Sequence, residues 1–443
     1  MTPTKLGFTI TIAAAMLGGD ATAQTEIRMW FGLGGRLQEE VLAQCERFNA
    51  AQDEVNLVCS REGTYDEIFN QAMAAVRAGN QPHILQVVDR GTGTMMLSGA
   101  AIPAYELVDR LGIDVNWDDY FDAIGNYYAD REGNLWAFPF NSSTAMVYYN
   151  TGALEAAGYD AFPRTWEEFD ALLYALRDEA GYDCSLAWTI DLWSDLEQFS
   201  AIHDIPVATR NNGYEGLDAE LVVNQTRVVQ HFEMQQRWFD DGILEYNPDF
   251  EVRRDLFVNG TCPIFFNSIA GFTSTQALAE ASGIEWTVAE LPHYADVTPI
   301  NNLVGGAALW TMAGFSDEEY EAIGRFYAFL AQPDQQIAWS DGTGYFPVTE
   351  SAYRSLVDSG YYQEPDNINR DLAVRSLLRA EPTVNSMGIR LGNYVEIRNI
   401  LTEEIQQALT GTQTMQQAFD EGVRRGNELL RRFEATYPGT ELP

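Results

Sequence analysis

The residues Asn141-Ser142-Ser143-Thr144-Ala145-Met146-Val147-Tyr148-Tyr149-Asn150 run four small polar side chains straight into an apolar strand. The aromatic stretch Trp136-Ala137-Phe138-Pro139-Phe140 stands just upstream. Short polar side chains compete for backbone hydrogen bonds, so strand interiors rarely begin this way. Such a run belongs where the chain leaves one packed body for another and presents hydroxyls to something held between them. Phe266-Asn267-Ser268 repeats the chemistry at the end of another apolar stretch. Two crossings of this kind predict two bodies that close on a ligand by hinge motion.

Toward the N-terminus, Thr25 to Phe31 reads as a strand, Gly32-Leu33-Gly34-Gly35 as a turn, and Leu37, Val41, Cys45 and Phe48 recur at helical spacing. Val55 to Cys59 is a second strand, and a helix follows from Tyr65 through Ile68, Phe69, Ala72, Met73 and Val76. His83 to Val88 is a short apolar run of the kind buried in parallel sheets, with Asp89 at its C-terminal end. This β-α-β-α-β order predicts a doubly wound α/β domain, whose ligands bind beyond the carboxyl ends of the strands. The glycine turn is not a dinucleotide fingerprint, because Leu37 stands where the third glycine belongs.

A second α/β pattern begins after Asn150: a helix from Trp166 to Ala180, a strand from Cys184 to Trp188, a long helix from Val222 to Asp241, and a strand from Cys262 to Phe266. Trp286 to Leu291 and Ala307 to Met312 read as strands belonging with the first body. From Asp317 the chain is mostly helical, down to the amphipathic stretch Met415 to Phe433. The expected division is residues 24–141 plus 268–330 in lobe 1, and 142–267 plus 331–443 in lobe 2.

The first 23 residues read as a secretory signal. Lys5 supplies the positive start, Leu6 to Leu17 is a short apolar run, and Ala21-Thr22-Ala23 is a small-x-small cleavage site. The expectation is an exported protein cut near Ala23, with no transmembrane helix and no cysteine placed for a lipid anchor. The chain holds 27 Lys+Arg against 65 Asp+Glu, a formal charge of −38. That field repels nucleic acid and anionic membrane, so neither is expected as a partner. Four cysteines in an exported chain favour disulfides. Cys45 and Cys59 are close in sequence, which leaves Cys184 with Cys262. No CxxC occurs and the four histidines lack ligand spacing, so no metal site is expected.

Several stretches carry a family pattern. They include Ile84-Leu85-Gln86-Val87, Gly91-Thr92 with Thr94-Met95-Met96, Pro139-Phe140-Asn141-Ser142-Ser143-Thr144 and Asn211-Asn212-Gly213. Gly305-Gly306-Ala307, Thr343-Gly344-Tyr345, Arg390-Leu391-Gly392-Asn393 and the ending from Arg425 to Phe433 complete it. With these the chain resembles, from about Trp30 to Phe433, the periplasmic substrate-binding proteins of ABC importers (extracellular solute-binding protein family 1), in particular those for sn-glycerol 3-phosphate. The resemblance implies a two-lobe fold with the ligand between the lobes, no cofactor, a monomer, and delivery of the ligand to the transmembrane subunits of an ABC permease.

Residue by residue, the resemblance points to Tyr65, Asp89, Ser143, Ser268, Gly306, Tyr345 and Arg398 as ligand contacts, with Trp193 in a matching aromatic segment. Trp30 and Trp188 are possible further aromatics of the cleft. Asp89 stands where the family has a glutamate, and Trp30-Phe31-Gly32-Leu33-Gly34-Gly35 replaces a more polar turn. A phosphate ester needs a fixed cation, and Arg398 can form a bidentate charge-assisted pair. Ser143 and Ser268 offer hydroxyls, Gly306 a backbone N–H, and Asp89 an acceptor for ligand hydroxyls. Tyr65 and Tyr345 can stack and donate, and tryptophans would suit a quaternary ammonium group, which brings in glycerophosphocholine. A neutral-sugar binder would need stacking rather than Arg398. An exported glycosidase would need two carboxylates across one bond, and Asp89 is the only acid among these positions, so no enzyme is expected.

Overall fold

Residues 24–440 with Leu442 and Pro443 are described by a computed structural model; the signal-like segment 1–23 lies outside them. Five strands begin the first lobe: β1 (Thr25–Phe31), β2 (Val55–Arg61), β3 (Ile84–Val88), β4 (Ala101–Ile102) and β5 (Phe138–Ser143). β1 lies between β2 and β3, parallel to both. Alternate residues Ile27, Met29 and Phe31 are fully buried, and β3 is buried at every position, as helices on both faces of a parallel sheet require.

The second sheet takes the next five strands: β6 (Ala145–Asn150), β7 (Leu186–Trp188), β8 (Leu244–Tyr246), β9 (Ile264–Ser268) and β10 (Trp286–Ala289). Its order is β10-β6-β9-β7-β8. The chain then returns to the first sheet as β11 (Gly305–Met312), antiparallel to β3 on one side and to β4 and β5 on the other. The fold is therefore an α/β pair of lobes, each with a mixed sheet. In the first core, helix Gly35–Ala51 meets helix Asp317–Leu330 through Phe48 and Phe326, 5.1 Å between ring centroids. In the second, helices Val228–Asp240 and Met415–Thr436 meet through Phe232 and Phe419, 5.2 Å apart.

The polar run Asn141 to Ser143 is strand rather than loop. It is the end of β5, buried and paired with β11, and Thr144 alone separates it from β6 in the other sheet. The outgoing and returning chains are laced together there. The Thr144 hydroxyl donates to the Leu303 carbonyl at 2.8 Å, and Gln198 both accepts from Leu303 N–H at 2.9 Å and donates to its carbonyl at 2.8 Å.

Two stretches differ from the expected division. Trp286–Ala289 pairs with β6 and so belongs to the second sheet, which puts the return crossing between β10 and β11 instead of at Asn267-Ser268. Residues 333–358 pack on the first lobe, where Trp339 lies 4.9 Å from Phe140 and the Ser351 N–H donates to Asp119 at 3.0 Å. Contacts to the second lobe resume where Gln276 donates to the Asp366 carbonyl at 3.0 Å and Asn369 donates to Thr287 at 2.9 Å. Strand pattern reports burial but not which sheet is joined, so chain order alone misassigned both. Cys45 is bonded to Cys59 and Cys184 to Cys262, with Cα separations of 6.6 and 4.9 Å.

Candidate ligand site between the lobes

The site begins where β3 runs out. Asp89 opens a short 3-10 turn and is 3% exposed. Its Oδ1 accepts from the Arg90 N–H at 2.5 Å and its Oδ2 from the Gly306 N–H at 3.2 Å. Burial pushes this carboxyl above its ordinary range, while Arg90 and Arg398 pull it back. Gly306 has φ +112°, and a Cβ there would fall 1.9 Å from the Asn141 carbonyl oxygen, so only glycine lets β11 start beside β5. The Gly306 N–H was expected to face the ligand; it is instead engaged by Asp89.

A relay of side chains crosses the floor of the first lobe. The Gly32 N–H donates to Gln86, Gln86 donates to Asn141, and Asn141 donates to the Tyr65 hydroxyl, at 2.8, 2.8 and 2.9 Å. Tyr65 in turn hydrogen-bonds Tyr345, and burial raises both phenols above their ordinary range. Tyr65 is held by the capping box of Thr64 and Glu67 at the start of helix Tyr65–Ala78, and Tyr345 stacks on Trp339 at 5.7 Å. Ser143 is buried opposite Gly305. Ser268 is half-buried, and its hydroxyl accepts from the Ala270 N–H at 3.1 Å, leaving its own proton to donate.

The second lobe supplies the ceiling. Trp193 opens a π-helical turn, Trp193–Gln198, and its indole presses on Gly305, where a Cβ would lie 2.2 Å from ring carbon Cζ2. Arg398 projects from helix Tyr394–Leu409. Its Nε is 3.4 Å from Glu197 Oε1 and its Nη2 is 3.7 Å from Asp191 Oδ1, while its buried Nη1 has no partner. Burial opposes the guanidinium charge, yet Glu197 and Asp191 outweigh it and raise its pKa. Glu197 is buried and accepts from the Tyr394 hydroxyl at 2.9 Å; burial raises its carboxyl to about 7, against the pull of Arg398.

Tyr65, Asp89, Ser143, Trp193, Ser268, Gly306, Tyr345 and Arg398 thus line the seam between the two sheets. Trp188 instead sits 2% exposed in the second core, 5.9 Å from Tyr246, and Trp30 is half-buried against the first core. Glu197, Asp191 and Gln86 were not singled out by sequence as site residues, and Asn141 was read only as part of the polar run. Gln86 had a signal, a lone amide inside an apolar strand; Glu197 had none, because its partner lies on a distant helix. Arg390 bridges the lobes nearby, donating to the carbonyls of Asn126, Tyr127 and Ala129 at 3.3, 3.4 and 2.5 Å with its guanidinium 4.1 Å from the Tyr214 ring centre. Among the described residues, no cluster of His, Cys, Asp and Glu is set to hold a metal, and no helix is long and apolar enough to cross a membrane.

Residues 43–367 match the family described as bacterial extracellular solute-binding protein. The chain belongs to that family. This solute-binding protein is 37% identical over 436 residues to the sn-glycerol-3-phosphate-binding periplasmic protein UgpB of Salmonella paratyphi A, covering 97% of the chain and 98% of the relative. The Escherichia coli protein of the same name is 37% identical over 434 residues, with 96% and 98% covered. Among solved structures, UgpB from Mycobacterium tuberculosis in complex with glycerophosphocholine matches with TM-score 0.74 at 21% identity, covering 93% of this chain and all (100%) of that one. Maltose-bound MalE3 of T. maritima matches with TM-score 0.74 at 18% identity, covering 91% and 100%. Those two structural matches establish the two-lobe fold of this solute-binding protein; the sequence relatives and family match agree with the resemblance read from its motifs.

Proposed function

We propose that this solute-binding protein captures sn-glycerol 3-phosphate or a glycerophosphodiester between its lobes, in the periplasm, and hands it to the permease of an ABC importer without chemical change. The observation that carries the reading is Arg398, a guanidinium held between the lobes with a buried, unpartnered Nη1. A buried donor left without an acceptor costs about 1–3 kcal/mol, and a phosphate oxygen is the acceptor that best repays a guanidinium. The names of the relatives at 37% identity support phosphate over sugar.

The other residues complete a cradle for the ligand. Ser143 and Ser268 donate hydroxyl protons, Asp89 accepts from the glycerol hydroxyls, and Trp193 and Tyr345 close on the alkyl portion. The acids of the cluster are engaged with Arg398, the Tyr394 and Ser194 hydroxyls and backbone N–H groups.

Calorimetric titration of the mature protein with glycerol 3-phosphate, glycerophosphocholine and maltose tests this, repeated on Arg398→Ala. Micromolar binding of a phosphate ester, about −8 kcal/mol, that weakens at least 100-fold in the variant supports the clamp. Maltose binding indifferent to the substitution overturns it in favour of a sugar carrier.

A further inference from the structure

Arg398 is over-subscribed before any ligand arrives. Glu197 and Asp191 contact it, and Asp89 faces it from the other lobe, so three carboxylates share one guanidinium. Of the other cations nearby, Arg90 is paired with Asp66 at 2.5 Å, and Arg253 faces Asp191 together with the buried Asp195. Bringing a phosphate anion into this seam adds negative charge where water is scarce and Coulomb repulsion is weakly screened.

The three acids differ in what holds their charge. Asp191 has a side chain 40% exposed and accepts from the Trp193 N–H and the Ser194 hydroxyl. Asp89 accepts from two backbone N–H groups. Glu197, with a side chain 2% exposed, has only the neutral Tyr394 hydroxyl besides Arg398. The groups facing it are Arg398 and Tyr394 from one helix, Asp89 and Arg90 from the first lobe's turn, and Tyr127 from helix Asp122–Tyr128.

We infer that phosphate binding to Arg398 drives one proton from solvent onto Glu197, making this residue the charge gate of the site. This rests on the phosphate reading above. When the phosphate binds the unpartnered Nη1, Glu197 shares the guanidinium charge with a further anion close by, and a buried carboxylate whose counter-charge is divided in this way is protonated. No covalent bond changes; the new O–H then donates within the site, replacing repulsion with a hydrogen bond. Burial already raises the Glu197 carboxyl to about 7, against the pull of Arg398. Affinity is therefore highest on the acid side of neutrality and falls about tenfold per pH unit above it, as uptake of one proton requires.

The test is calorimetry with glycerophosphocholine, whose phosphodiester has no group titrating near neutral pH, so any proton exchanged belongs to the protein. Titrations at pH 8 in Tris and in HEPES, whose ionisation heats differ, count the protons. Uptake close to one at pH 8, shrinking toward zero at pH 6, is the expected result. Glu197→Gln abolishes the uptake and flattens the pH profile. Tyr394→Phe, which removes the hydroxyl favouring charged Glu197, moves the onset of affinity loss to higher pH and serves if the first variant does not fold. Tight binding with no proton uptake at pH 8 overturns the inference while leaving the phosphate reading intact, as does uptake that persists in Glu197→Gln. Failure of both phosphate esters to bind overturns both.

Discussion

At Gly306 a single hydrogen atom in place of a side chain lets the two strands that carry the site approach. Its φ of +112° lies where L-residues are strained, and the Asn141 carbonyl occupies the space of a Cβ. Gly306→Ala is expected to destabilise the fold by about 3 kcal/mol, from backbone strain together with displacement of β5. It also withdraws the N–H that Asp89 accepts, so affinity falls with stability. Thermal melting with and without ligand measures both effects; an unchanged melt would mean that β11 has room to shift. Asp89 itself was legible in the sequence, because a buried parallel strand carries no charge and its first charged residue marks the sheet's functional end. The engagement of Gly306 with Asp89 was not legible, since it depends on β11 inserting beside β3.

The π-helical turn that carries Trp193 and Glu197 runs into helix Phe199–Ile202 and ends at His203. Phe199 is sandwiched between the rings of His203 and His231, with centroids 4.1 and 4.2 Å away. His203 Nδ1–H donates to the Phe199 carbonyl at 2.7 Å, and its Nε2 accepts from the Tyr294 N–H at 2.9 Å. Only the neutral ring satisfies both contacts; a proton on Nε2 would face the Tyr294 N–H. Burial lowers His203 to about 4 and His231 well below its usual value. A depressed histidine favours the fold fully above its unfolded value, near 6.5, and that contribution is lost as pH falls toward the folded one. For His203 the loss is about 3 kcal/mol. Urea unfolding followed from pH 7 to 4 should show it, and His203→Gln should flatten that part of the profile. The helix that carries His231 was legible here from periodicity, while the helical turns from Trp193 to Ile202 were not. The sandwich was not, because it joins residues from separate elements, just as the pairing of Trp286–Ala289 with β6 joins strands whose patterns carry no address.

Over the whole molecule, the charge of −38 opposes an anionic ligand until it reaches Arg398. The usual steering effect is therefore reversed. Added salt shortens the screening length to about 8–10 Å near physiological strength and weakens the repulsion. The association rate for glycerol 3-phosphate is expected to rise several-fold from low to moderate salt, read by stopped-flow tryptophan fluorescence. A rate that falls with salt would show that a local positive funnel governs the approach. The two-lobe plan was legible from the polar run at Asn141 to Thr144 and the motif set; the lobe boundaries were not, because Asn267-Ser268 stays within the second lobe and the chain changes lobes again after Asp358.

The place of β11 in the first sheet bears on how the protein is made. A strand from residues 305–312 lies between strands drawn from the first 143 residues, and the second lobe is completed by helices at 394–409 and 415–436. A growing chain therefore has no finished lobe to collapse into until most of it has left the ribosome. Contacts of such long range form slowly. The nascent polypeptide remains threadable for that interval, which is the condition a narrow protein-conducting channel demands of its cargo.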